Sequence, residues 1–186
     1  MISRPPIMNG ARPLLPQGAE LAAPPNRAKV MATLFAALCL TLLPWVDGLR
    51  WLLPDLTLMV LLYWCIHAPR LVGLGIAFFL GLVTDVTHGL LLGLDALAYC
   101  GAAFVVLSLH KRLEGFDAPR QILQLAPLLL GKEALVLTLG LAFGRGEADW
   151  RYLAAGLVAI LLWWPLATLL DRISGRPALP EKAVME

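Results

Sequence analysis

The sequence predicts an all-α polytopic membrane protein with six transmembrane helices. Three observations lead there. Of 186 residues, 59% are hydrophobic and 15% charged, whereas about a quarter are charged in a typical soluble domain. The charges gather between long apolar blocks and do not spread evenly along the chain. Those blocks also suit a bilayer, since a helix rises about 1.5 Å per residue through a hydrocarbon core near 30 Å thick. A net charge of +2 gives no reason to expect a nucleic-acid partner.

Residues 1–29 are rich in proline, glycine and alanine, with isolated basic residues. Repeated prolines block a helix and no apolar face recurs, so a disordered cytoplasmic tail is expected there. The apolar block that follows is longer than a signal-peptide core and has no small-x-small cleavage site after it. The first span is read at 30–46, closing on Pro44-Trp45, and the second at 51–66. Pro54-Asp55 opens the second span, where proline fits the first turn and aspartate fits the positive helix end. Tyr63 and Trp64 sit near its other end, where amphipathic rings prefer the headgroup level.

Residues 71–109 are too long for one crossing, because a continuous helix there would extend about 60 Å. They divide near 88–93 into a third span, 71–87, and a fourth, 90–109. The fifth is read at 122–143 and the sixth at 152–170, with Trp163-Trp164-Pro165 towards its end. The membrane domain is thus 30–170, and 171–186 form a C-terminal tail. With the N-terminal tail in the cytoplasm, eleven basic residues fall on that side and three on the other. The positive-inside rule then places both termini in the cytoplasm. The longest connection, about 110–121, is too short to fold as a domain, so most binding surface is helix face in lipid.

Inside these spans a few polar residues stand out. Gly81, Asp85, Gly89 and Gly93 follow at four-residue steps, and Gly81 shares a helix face with Asp85. A small residue there lets another backbone approach, and the carboxylate accepts hydrogen bonds from what arrives, with Thr84, Thr87 and His88 as local donors. Asp95, early in the fourth span, is close enough across a tight turn to share that pocket. Two readings stand side by side. In one, Asp85 and Asp95 build an outward-facing site for a ligand or a partner helix, because ionisable residues in spans are costly. In the other, they cap the turn and the first turn of the fourth helix.

Lys132 and Glu133 interrupt the fifth span. Neighbours one residue apart do not share a helix face, so each is expected to find a partner elsewhere or to snorkel. Glu133 is read towards the bundle interior and Lys132 towards an interface. Structural pairing between helices and binding of a partner are both open readings of this pair.

Little in the sequence supports catalysis. An intramembrane aspartyl protease needs two carboxylates sharing a proton, but Gly93-Leu94-Asp95 runs in the wrong order for that motif. Ser108 and His110 are two apart and do not face each other. Cys39, Cys65 and Cys100 lie in apolar runs and, with His67, His88 and His110, form no metal-ligand spacing. There is no phosphate-binding loop or dinucleotide fingerprint.

Taken in order, these residues resemble the rod shape-determining protein MreD family. The likeness covers about 38–170. It rests on Pro44-Trp45, on Leu53-Pro54-Asp55 followed by Leu61-Leu62-Tyr63-Trp64, and on Gly75. It continues through Gly81-x-x-x-Asp85-x-x-x-Gly89-x-x-Leu92-Gly93-x-x-Ala96-Leu97 and Trp163-Trp164-Pro165. The longer N-terminal tail and Lys132 beside Glu133 depart from the family pattern. The resemblance implies a non-catalytic inner-membrane scaffold of the cell-elongation complex, with no cofactor and no metal. It implies MreC as partner, with MreB and the glycosyltransferase and transpeptidase of peptidoglycan synthesis engaged directly or through MreC. It also implies the fold of the substrate-binding subunits of energy-coupling-factor transporters, in which Asp85, Gly89 and Gly93 shape an outward pocket. That fold analogy supplies the competing function, a vitamin-like binding subunit of a transporter, although fold alone is a weak guide to function. The candidate partner or pocket residues are therefore Pro54, Asp55, Tyr63, Trp64, Gly81, Asp85, Gly89, Gly93, Asp95, Lys132 and Glu133.

Overall fold

A computed structural model describes residues 26–43, 53–88, 93–116, 118–142 and 151–175. They form six helices: α1 Arg27–Leu42, α2 Leu56–His67, α3 Leu74–His88, α4 Leu94–Glu114, α5 Ala118–Ala142 and α6 Arg151–Ser174. The N-terminal tail apart from its last four residues, the Pro44-Trp45 pair, Gly89 and the segment after Gly175 lie outside the described residues. Helix α2 packs against α1, α4 and α6, while the most extensive pairings are α3 with α4 and α5 with α6.

The surface of the bundle is apolar. Phe35, Phe79, Leu97, Phe104, Leu123 and Leu161 are all exposed. In water such a surface would drive association, whereas hydrocarbon accepts it without cost.

Among the described residues there are six helices but not six crossings, since three are long and apolar enough to cross a bilayer, at Leu94–Glu114, Arg120–Thr138 and Ala154–Ser174. Helix α2 has 12 residues and so extends about 18 Å, well short of a hydrocarbon core of about 30 Å. Its residues from Thr57 to Ile66 are all buried, so it is hydrophobic on every side because protein surrounds it. Helices α1 and α3, with 16 and 15 residues, are also short. The expectation of six transmembrane spans is corrected on this ground. An odd number of crossings does not return a chain to the face it left, which argues against both termini being cytoplasmic. The multi-pass membrane assignment itself stands on the three long apolar helices.

The charged stretch read as a 110–121 loop is mostly helical. Helix α4 runs on to Glu114, with Lys111 and Arg112 in its last turn, where cations favour the negative helix end. Gln121 Nε2 donates to the carbonyls of Leu113 and Phe116, both at 3.0 Å, closing the α4–α5 corner.

Candidate functional site

Two polar clusters converge on the N-terminal half of α4. The first joins it to α3. The chain enters α4 through Gly93, whose φ of +102° is open to glycine and strained for other residues. The first amides of a helix have no intrahelical acceptor, and Asp85, from the last turn of α3, supplies one. Its Oδ2 accepts from Gly93 N at 2.9 Å and Ala96 N at 3.1 Å, and its Oδ1 accepts from Asp95 N at 2.8 Å. A buried carboxylate is thus met by three backbone donors and the positive end of a helix.

Gly81 makes that approach possible. A Cβ there would stand 2.5 Å from Ala96 Cα and 2.8 Å from Asp95 O, so only hydrogen fits between α3 and α4. The threonines expected to serve Asp85 are occupied locally. Thr84 Oγ1 donates to Leu80 O at 2.9 Å, and Thr87 Oγ1 donates to Thr84 O at 2.7 Å. Asp85 therefore meets backbone amides, as the capping reading has it.

The second cluster joins α4 to α2 and α5. Asp55, following the buried Pro54, caps α2 by accepting from Leu58 N at 3.0 Å. The same carboxylate takes the Tyr99 hydroxyl of α4 at 2.7 and 2.6 Å from its two oxygens. Lys132 of α5 places Nζ 3.2 Å from Asp55 Oδ2, 3.8 Å from Asp95 Oδ1 and 3.4 Å from Glu133 Oε1. Lys132 and Glu133 are both buried, with relative exposures of 9% and 7%. The lysine thus points into the bundle and does not snorkel to an interface. Its neighbour reaches it after all, because two long side chains can bend together where their Cβ atoms diverge.

Gly156 lets α6 lie close over this cluster. A Cβ there would stand 2.9 Å from Leu130 Cδ2 and 3.4 Å from Glu133 Cγ.

Tyr63 and Trp64 belong to neither cluster. They sit towards the other end of α2, buried and edge-to-face with centroids 5.1 Å apart. Tyr63 Oη donates to Asp171 Oδ1 at 2.5 Å, and Trp64 Nε1 donates to Thr33 Oγ1 at 2.9 Å. These bonds fasten α2 to α6 and α1. Both rings are enclosed by protein at that end of α2. The structure therefore brings Asp55, Asp95, Lys132 and Glu133 together, with Gly81, Asp85 and Gly93 adjoining through α4. Tyr99 is the member sequence reasoning missed; its signal was a lone phenol in an otherwise small, apolar run.

Among the described residues no group of three or more His, Cys, Asp or Glu side chains is arranged to hold a metal ion. What the arrangement can do is fix helices: one carboxylate neutralised by amides, and one lysine shared among carboxylates of three helices.

A family model described as rod shape-determining protein MreD matches residues 27–173. The chain is also 27% identical over 143 residues to the rod shape-determining protein MreD of Haemophilus influenzae, covering 77% of this chain and 88% of that protein. No solved structure matches. The expected likeness to the substrate-binding subunits of energy-coupling-factor transporters is therefore corrected, since it finds no counterpart and presumed six full crossings.

Proposed function

Because the chain belongs to the rod shape-determining protein MreD family, we propose that its helix bundle captures MreC within the membrane. Through MreC it would engage MreB and the glycosyltransferase and transpeptidase of lateral wall synthesis. As a family member, the protein is a non-catalytic scaffold of the cell-elongation machinery, multi-pass in the inner membrane.

The observation that supports capture of a partner is the buried Lys132, held against Asp55 of α2 and Asp95 of α4. A scaffold binds well when its surface is already ordered, because ordering helices on association subtracts from affinity. A desolvated cation among carboxylates of separate helices fixes their register, the best-attested use of buried ionic groups. The α3–α4 clamp at Asp85 serves the same end.

The test is recovery of MreC with tagged protein at matched membrane abundance, comparing wild type, Lys132→Met and Asp85→Asn. Gly101→Ala is the control, because a Cβ there meets nothing within 4 Å. Recovery is expected to fall about tenfold for Lys132→Met, equivalent to ~1.4 kcal/mol of binding, and less for Asp85→Asn. Unchanged recovery with Lys132→Met would remove the ion cluster from the mechanism.

A further inference from the structure

We propose that the Lys132 cluster carries one resident proton, on the carboxyl of Glu133, as a proton-sensitive clamp on α2, α4 and α5. Charge counting supplies the first reason. Asp55, Asp95 and Glu133 all lie within 3.8 Å of one ammonium, and the side chains of Lys132, Asp55, Asp95 and Glu133 are all at least nine-tenths buried. Three carboxylates against one cation would leave two uncompensated charges in a low-dielectric interior; one bound proton halves that excess, and the helix N-termini at Asp55 and Asp95 offset the remainder.

The positions of the acids on their helices say which group is neutral. Asp55 has the Leu58 amide, the Tyr99 hydroxyl and Lys132, and it stands at the amino end of α2. Asp95 lies in the first turn of α4. Helix N-termini favour a carboxylate at both positions. Asp85, the nearby acid from α3, is met by three amides.

Glu133 differs from all of these. It lies in the body of α5, away from either helix end, and its contact is the ammonium it shares, at 3.4 Å. The charged groups acting on it are Lys132 from its own helix, Asp55 from α2 and Asp95 from α4, and Gly156 of α6 lies over its stem.

Neutral Glu133 leaves the ammonium to Asp55 and Asp95, so that α5 is tied to α2 and α4. When the proton leaves, Glu133 competes for the same ammonium from within α5 and weakens both ties. A groove of about 190 Å³ between α4 and α5 has Lys132 among its lining residues and brings the cluster's edge towards the surface.

Infrared difference spectroscopy on the full chain in lipid nanodiscs at neutral pH tests this. The expected result is the carbonyl absorption of one protonated carboxylic acid that moves on exchange into D2O. It should shift again when glutamate, and not aspartate, carries carbon-13 in the side-chain carboxyl. Glu133→Gln, which copies the neutral acid in shape, should abolish it. The label experiment needs no variant and stands even if Glu133→Gln is poorly recovered. No such absorption in the wild type, a shift that follows labelled aspartate, or an absorption surviving Glu133→Gln would each overturn the proposal.

Discussion

Asp85 and Asp55 each present a carboxylate to a helix N-terminus, yet different kinds of partner hold them. Asp85 is answered by the backbone amides of Gly93, Asp95 and Ala96, eight to eleven residues along the chain. Asp55 needs the side chains of Tyr99, forty-four residues away, and Lys132 in a further helix. Amides cannot be lost by substitution, except to proline, whereas an ammonium can be deleted by one codon. The difference teaches where this bundle is robust and where it hangs on a single group.

Deleting that group should break the comparison most sharply. Lys132→Met is close in volume but removes the cation from between Asp55, Asp95 and Glu133. Breaking a buried pair on one side typically costs ~3–5 kcal/mol, because the remaining charge stays desolvated. The expected outcome is a large fall in thermal midpoint in detergent and in folded protein recovered from membranes. Adding Asp55→Asn and Asp95→Asn to Lys132→Met should restore much of the loss, since neutral groups of similar shape no longer carry the penalty. If the multiple variant is no more stable than Lys132→Met alone, the cluster's electrostatics are not what Lys132 contributes.

The same contrast explains how much could be read from the sequence. The break between α3 and α4 was legible because 71–109 exceeds any crossing and contains the glycines a turn uses. A cap at Asp85 is one of the two readings the sequence leaves open, and it is within reach of spacing because its partners are local. The Lys132 cluster was visible only as an anomaly, two charges in a span. Its partners come from α2 and α4, and pattern within α5 carries no trace of them. Asp55 caps α2 as its position after Pro54 predicts, but its second role depends on tertiary packing. The span count fails at the short helices α1, α2 and α3, most plainly at α2, where uniform hydrophobicity suits a protein-enclosed core helix as well as a lipid-crossing one. Composition does not separate the two, whereas its length of 12 residues does.

Glycines sharpen the comparison at the next level of effect. Gly81→Ala puts a methyl 2.5 Å from Ala96 Cα, and a backbone atom cannot swing aside as a side chain can. Overpacking of this kind costs ~1–3 kcal/mol, and here it would also draw the α4 amides away from Asp85. Gly101→Ala, on α4, meets nothing within 4 Å and removes a poor helix former, for an expected gain of up to ~1 kcal/mol. Thermal midpoints of the two variants should therefore move in opposite directions. Equal shifts would mean that α3 and α4 do not cross at Gly81.

A loss no larger than that of Gly81→Ala is expected at Asp85. Asp85→Asn keeps one oxygen in place to accept from an α4 amide, but it presents an NH2 group to another. It also removes the negative charge from the helix end. Charge at a helix N-terminus contributes ~0.3–1 kcal/mol, rising to ~2 kcal/mol where it is partly buried, so a loss of ~1–2 kcal/mol is expected. Because the charge is balanced by amides alone, the loss should be the same whether Lys132 is present or replaced by methionine. Additivity in that double-mutant cycle, within about 0.5 kcal/mol, would keep the two clusters separate. A larger coupling would instead make Asp85 part of the ion cluster, reached through the Asp95 backbone it already holds, and the distinction between an amide-held and a lysine-held acid would dissolve.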